Sequence, residues 1–273
     1  MKTKLILSVV GLAFCSLSTA EMLTNPTELK PLNDVRISMQ RMLRSSEGRY
    51  FLSLYAGVWN PHGTLYDLVD NRIIKLKGLQ KADQLNLNSI EIKPEVTGNT
   101  SYQLAGVLNA NSGDLSAKLT QNTDITEQTL VFEPAIKISN RPNFMFKFYG
   151  TYEPKEPYVM PLKRVDIINK NNNNVVQSLL GFTAFPKSIG YMDINFDGYY
   201  DIVLSDISQD RTIKDKRYIY WMYNPKTQQF QRSLALENII GFPDLDGEKQ
   251  QINFGNGQLY QVENGLLNRI EAP

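Results

Sequence analysis

The sequence predicts a mostly β protein built of antiparallel sheets. From Arg49 onward, short apolar–polar alternations are broken by Gly, Asn, Asp and Pro, which is how strands and their turns read. Long stretches with helical spacing are nearly absent. The 273 residues, less a short leader, suffice for one large β domain or two smaller ones, each with its own core. Two β units in close contact are expected, residues 21–140 and 141–273.

The chain opens Met1-Lys2-Thr3-Lys4, runs through the apolar stretch Leu5 to Leu17 and reaches Ser18-Thr19-Ala20. A basic start, an apolar run too short to span a bilayer and small residues before a cut are the parts of a signal peptide over residues 1–20. The mature chain then starts at Glu21, and its expected location is the periplasm, with secretion as the other outcome. Cys15 is the only cysteine. Lipid attachment there would want a small residue in front of it, where Phe14 stands. A mature chain without cysteine has no disulfide and no thiolate chemistry.

The chain carries 29 basic and 28 acidic residues, and two of the lysines precede the cut. Near-neutrality argues against nucleic acid as a partner. No later segment approaches the roughly 18 unbroken apolar residues of a membrane helix.

In order along the chain, one helix is expected at Leu32 to Arg44. Strands are expected at Tyr50 to Tyr55, Asn71 to Lys77, Ser89 to Ile92, Tyr102 to Leu108, Asp114 to Thr120 and Thr129 to Phe132. Leu108 to Asp114 reads as a hairpin turn rich in Asn, Ser and Gly. Pro134 to Pro142 breaks the pattern and marks the boundary between units. The second unit begins with Phe144-Met145-Phe146-Lys147-Phe148, whose phenylalanines share one face of a strand. Arg164 to Ile168, Val175 to Phe182, Tyr218 to Tyr223 and Gln229 to Leu234 continue it, with turns at Asn169 to Asn174 and Asn224 to Thr227. Tyr218 to Tyr223 would send three side chains to each face. Either both faces are buried in a layered fold, or part of the set forms a Tyr-rich recognition surface.

The segment from Asp193 to Asp201 has the form DxNxDGxxD. Ca²⁺ takes six to eight oxygen ligands, and a loop supplies them best from alternate positions that converge on one point. Asp193, Asn195, Asp197 and Asp201 occupy positions one, three, five and nine, and the Tyr199 carbonyl would fill position seven. Gly198 stands at six, where the loop turns sharply. Three carboxylates so close together repel until a cation joins them, so folding and binding should be coupled. Leu204 replaces the bidentate Glu that an EF-hand carries at position twelve, and the flanks read as strands. The loop is therefore EF-hand-like on a β framework, the competing reading being an ordinary Asp/Asn/Gly turn. A weaker acidic turn, Pro243 to Glu248, carries Asp244 and Asp246 in a pattern common in turns.

No catalytic residue stands out, and a non-enzymatic role is expected. His62 is the only histidine, set between Pro61 and Gly63 in what reads as a solvated loop. Zinc would lack His and Cys ligands. A glycosidase needs only two suitably spaced carboxylates, and nothing marks such a pair.

The calcium loop, followed by Tyr220-Trp221-Met222-Tyr223-Asn224-Pro225-Lys226-Thr227 and Phe230, resembles the pattern of FG-GAP/VCBS-type propeller repeats. It is more similar to a family of exported bacterial β-propeller-like proteins in which one such loop precedes a W-x-Y-[DN]-P-K-T hairpin. Tyr50 to Phe132 is similar only in strand rhythm. The resemblance implies a propeller-like C-terminal unit. It also implies a role as a periplasmic immunity protein, one that inhibits a peptidoglycan hydrolase delivered as an effector by a competitor's secretion system. A calcium-dependent adhesion or glycan-binding module is the alternative.

Overall fold

A computed structural model describes residues 28–57, 59–90, 101–122, 126–139, 141–152, 160–209 and 212–270. The expected leader, residues 1–20, lies outside them, as do Glu91 and Ile92 of one expected strand.

The chain is mostly β. After β1 (Lys30–Pro31), eight strands follow in antiparallel succession: β2 (Arg36–Ser45), β3 (Tyr50–Ala56), β4 (His62–Asp67), β5 (Arg72–Lys81), β6 (Gln84–Ser89), β7 (Tyr102–Leu108), β8 (Leu115–Gln121) and β9 (Thr126–Pro134). β9 returns to pair with β2 at Ser45↔Phe132, Arg44↔Glu133 and Leu43↔Pro134, which closes an eight-stranded barrel. Alternation along each strand sends Leu65, Leu85, Leu87, Leu104, Leu115 and Leu119 inside, together with Phe132. At eight strands a barrel is just wide enough for side chains to fill it, and leucine fills this one.

Gly63, Gly78 and Gly106 share the parity of those inward leucines, and at each the neighbouring strand's backbone comes too close for a side chain. A Cβ on Gly78 would lie 2.0 Å from the Asn86 carbonyl oxygen, and one on Gly106 2.2 Å from that of Ser116. Only a residue without a side chain allows adjacent strands to coil this tightly.

The remaining strands are β10 (Phe144–Gly150), β11 (Leu162–Asn169), β12 (Val175–Leu179), β13 (Ala184–Met192), β14 (Asp201–Asp206), β15 (Tyr218–Asn224), β16 (Gln229–Arg232), β17 (Asp244–Asp246), β18 (Gln251–Asn253), β19 (Leu259–Glu263) and β20 (Leu266–Ile270), with a one-turn helix α1 (Leu234–Glu237) before β17. They form three four-stranded antiparallel groups: β1-β10-β11-β12, β13 to β16, and β17 to β20. Val165, Ile167 and Leu179 of the first pack with Ile202, Leu204 and Tyr223 of the second. Met192, Val203 and Tyr220 on the other face of the second pack with Leu245, Ile252 and Phe254 of the third. The middle group is thus covered on both sides. That decides between the two readings of Tyr218 to Tyr223: Ile219 and Tyr223 enter one core and Tyr220 the other, so the strand is buried on both faces.

Barrel and sheets are joined through β2. Its N-terminal half pairs in parallel with β13, from Arg36↔Ser188 to Met39↔Tyr191. The expected helix at Leu32 to Arg44 is therefore corrected to a strand. Met39, Met42 and Leu43 imitate helical spacing because each enters a different core: Met39 packs with the first two sheets, Met42 with the third, and Leu43 inside the barrel. A strand covered on both faces has no reason to alternate. His62 is likewise no loop residue. It begins β4 and stacks on Tyr55 with ring centroids 4.7 Å apart.

The hairpin turn at Leu108 to Asp114 stands as expected, closed by Asn109 N–H to the Asp114 carbonyl and Gly113 N–H to the Asn109 carbonyl. The turn after Asn224 is held by the Asn224 carboxamide oxygen, which accepts from Lys226 N–H. Asp244 and Asp246 lie in β17; the turn follows them.

Candidate functional site

The acidic loop joins β13 to β14 at one end of the middle sheet. Its even-numbered apolar residues anchor it, since Ile194 and Phe196 are buried in the core shared with the third sheet. The polar residues Asp193, Asn195 and Asp197 alternate with them. Phe196 sits at φ 53° and Gly198 at φ 89°. A phenylalanine rarely adopts positive φ, and here its burial holds it there. A Cβ on Gly198 would fall 2.6 Å from Ile138 and 2.7 Å from Ile136. The loop is therefore pressed against the connector that leaves the barrel after β9.

The five expected ligand residues fall in one turn, though not in equivalent roles. Asp193 Oδ1 accepts from Asp197 N–H at 3.0 Å and Oδ2 from Gly198 N–H at 2.8 Å. Asp197 Oδ1 accepts from Tyr199 N–H, and its Oδ2 from the Asn195 amide. Asp201 is turned to the backbone, accepting from Ile194 N–H at 2.9 Å and from Tyr223 N–H at 2.8 Å. Each oxygen so used keeps a second lone pair. The Asn195 carboxamide oxygen is buried without a hydrogen-bond partner.

Burial and the Asp197 charge push Asp193 up to about 7, against the pull of two backbone amides and of Arg141. Burial and the Asp193 charge raise Asp201 well above the ordinary carboxylate range. Clustered buried carboxylates with little cationic support, beside an orphaned amide oxygen, have the chemistry that a hard divalent cation satisfies. Among the described residues, no three His, Cys, Asp or Glu side chains converge as a ready-made cage. The donor set suits calcium, while its present hydrogen bonds are those of a self-closed turn.

A second charged cluster escaped the sequence reading. At the end of the barrel, Asp67 accepts from Arg49 through both oxygens, at 3.0 and 2.8 Å, and from Arg72 at 2.9 Å, while Asp70 joins both arginines. The arginines hold Asp67 below the usual carboxylate range. Two acids and an arginine bracketing the turn Asp67 to Arg72 were the available signal.

Fold and site together define a closed β-barrel joined to stacked four-stranded sheets, with an acidic loop at the joint. No protein-family model matches the chain, and no curated protein matches it either.

Proposed function

We propose that the chain is a periplasmic, calcium-stabilised immunity protein that binds and blocks a cell-wall-degrading effector, and that its three C-terminal sheets are blades of a propeller-like unit. The observation that carries this reading is a contact. The DxNxDGxxD loop and the W-x-Y-N-P-K-T hairpin, the two elements of the resemblance, meet where Asp201 of the loop accepts the Tyr223 N–H of the hairpin strand. They belong to one sheet and behave as one device.

Calcium in this reading is structural. Asp193, Asn195, Asp197, Asp201 and the Tyr199 carbonyl would hold it, and the ion would neutralise carboxylates that now repel one another. Because the loop presses on Ile136 and Ile138, ordering it also orders the joint between barrel and sheets. A pre-organised surface lowers the ordering cost of binding a partner.

Two measurements test the proposal. Thermal melting of the chain lacking residues 1–20 should rise in Ca²⁺ and fall in chelator, and Asp197→Ala should remove that difference. Identical melting in both conditions overturns the metal. Peptidoglycan lysis by a hydrolase captured from periplasmic extract should fall as the protein is added in stoichiometric amounts. Capture without inhibition overturns the immunity role, and co-purification with polysaccharide would favour the glycan-binding module.

A further inference from the structure

One cavity is lined by no residue of the acidic loop. It is a cleft of about 630 Å³ between the outer wall of the barrel and the third sheet. Its floor is two cross-strand rows on β3, β4 and β5, Tyr55–His62–Lys77 and Ser53–Thr64–Lys75. Its wall is the β17–β18 ladder, where Asp244 faces Asn253 and Asp246 faces Gln251 in register. The wall stands over β2: Gln40 donates to the Leu245 carbonyl, and Arg44 pairs with Glu248. The wall therefore rises beside β3, with the charges of both aspartates reaching Tyr66 on β4, and the β5 backbone that carries the lysines runs two strand spacings, about 10 Å, from β3.

The two ends carry opposite charge and do not satisfy each other. Among the described residues, no ion pair joins Lys75 or Lys77 to Asp244 or Asp246. Lys75 donates to Thr64, while Asp246 accepts from the N–H groups of Glu248 and Lys249 in its own turn and pairs with the Lys249 ammonium at 3.7 Å, which leaves Asp244 as the open acid. Asp244 is exposed, and among the described residues no hydrogen bond or ion pair engages its carboxylate, whose charge reaches Tyr55 and Tyr66. Between the charged ends lies the Tyr55–His62 pair, its rings stacked on each other 7° from parallel. A ligand complementary to this cleft has a cation at one end, an anion at the other and a polar body up to about 10 Å long. That is the span of about three extended residues.

We propose that the cleft binds a short zwitterionic peptide, its ammonium at Asp244 and its carboxylate at Lys75 and Lys77. No residue of the acidic loop takes part, so the proposal stands or falls independently of calcium and of inhibition.

The test is calorimetric titration of the chain lacking residues 1–20 with trialanine, free at both termini, and with its N-acetyl and C-amide forms. Blocking either end should weaken binding about tenfold, the order of one charge-assisted contact. Asp244→Asn should reproduce the loss for peptides with a free amine and leave the acetylated form unchanged. Lys75→Gln with Lys77→Gln should do the same for the carboxylate end. Unchanged melting of these surface variants would confirm that folding is intact. Equal binding of free and doubly blocked peptide, or no heat for trialanine at millimolar concentration, overturns the proposal. So does preferential binding of a neutral N-acetylglucosamine trimer, which would make the cleft a saccharide site.

Discussion

Asp67 and the loop pair Asp193 and Asp201 are all shielded from solvent, at 2 %, 6 % and 1 % exposure, but Asp67 lies just under the surface beside partly exposed arginines and the loop pair lies deep. Their chemistry is opposite. Asp67 meets two guanidinium groups and is held ionised. Asp193 and Asp201 meet backbone amides and each other, and both are pushed toward the protonated form. Burial comes first at Asp193 and Asp201, whereas at Asp67 the hydrogen bonds from two guanidinium groups outweigh it; both burial and the sign of what faces a carboxylate decide its state. The barrel end has its cations built in. In the proposed reading the loop takes its cation from outside, and its stability would then be adjustable.

The largest effect should come from breaking the barrel's own pair. Asp67→Ala removes the buried acceptor of two partly exposed arginines, which keep Asp70 and water as partners, and should cost about 2 kcal/mol in urea unfolding, the same in calcium and in chelator. A smaller and condition-dependent effect is expected at the loop. Asp193→Asn removes a repelled charge but also one of the two oxygens that accept from Asp197 and Gly198 N–H, so in chelator the two effects oppose and the variant should differ from the parent by less than about 1 kcal/mol. In calcium it should fall short of the parent by about 1 to 2 kcal/mol, through loss of the ion's contribution. A loss of the same size in both conditions would erase the contrast.

The smallest effect is the shape of stability against pH, and the signs run in opposite directions. The lowered pKa of Asp67 gives stability present above its unfolded value near 4, lost as pH falls further. The raised pKa of Asp193 makes the calcium-free loop most stable below about 4, with stability declining as pH rises toward 7. Urea midpoints measured in chelator across this range should decline on the neutral side in the parent and flatten there in Asp193→Asn. Calcium should flatten the same limb.

Much of the barrel was legible because hairpins are local. Tyr102–Leu108 and its Asn-rich turn follow from alternation and turn chemistry alone. The acidic loop was legible from spacing, since alternate donors around Gly198 need no distant partner. What was illegible depends on residues far apart. β2 reads as a helix because three cores share its side chains, and the barrel's closure rests on β2 meeting β9 some 90 residues later in the chain. His62 was misplaced because its neighbours Pro61 and Gly63 suggest a turn, whereas Gly63 is an inward barrel position where a Cβ would meet the Ser53 carbonyl oxygen.

The divided pairing of β2 has a further consequence for how the chain must be assembled. Its C-terminal half finds β3 and β9 within the first half of the chain, but Arg36 to Met39 cannot gain their parallel neighbour until residues 188–191 exist. Until then a completed barrel carries an open edge of unpaired amides and carbonyls, the kind of edge that captures other strands. Such remote parallel pairing also forms slowly. A nascent or truncated chain ending near the boundary is therefore the form most exposed to self-association, and β13 is the strand that ends that exposure.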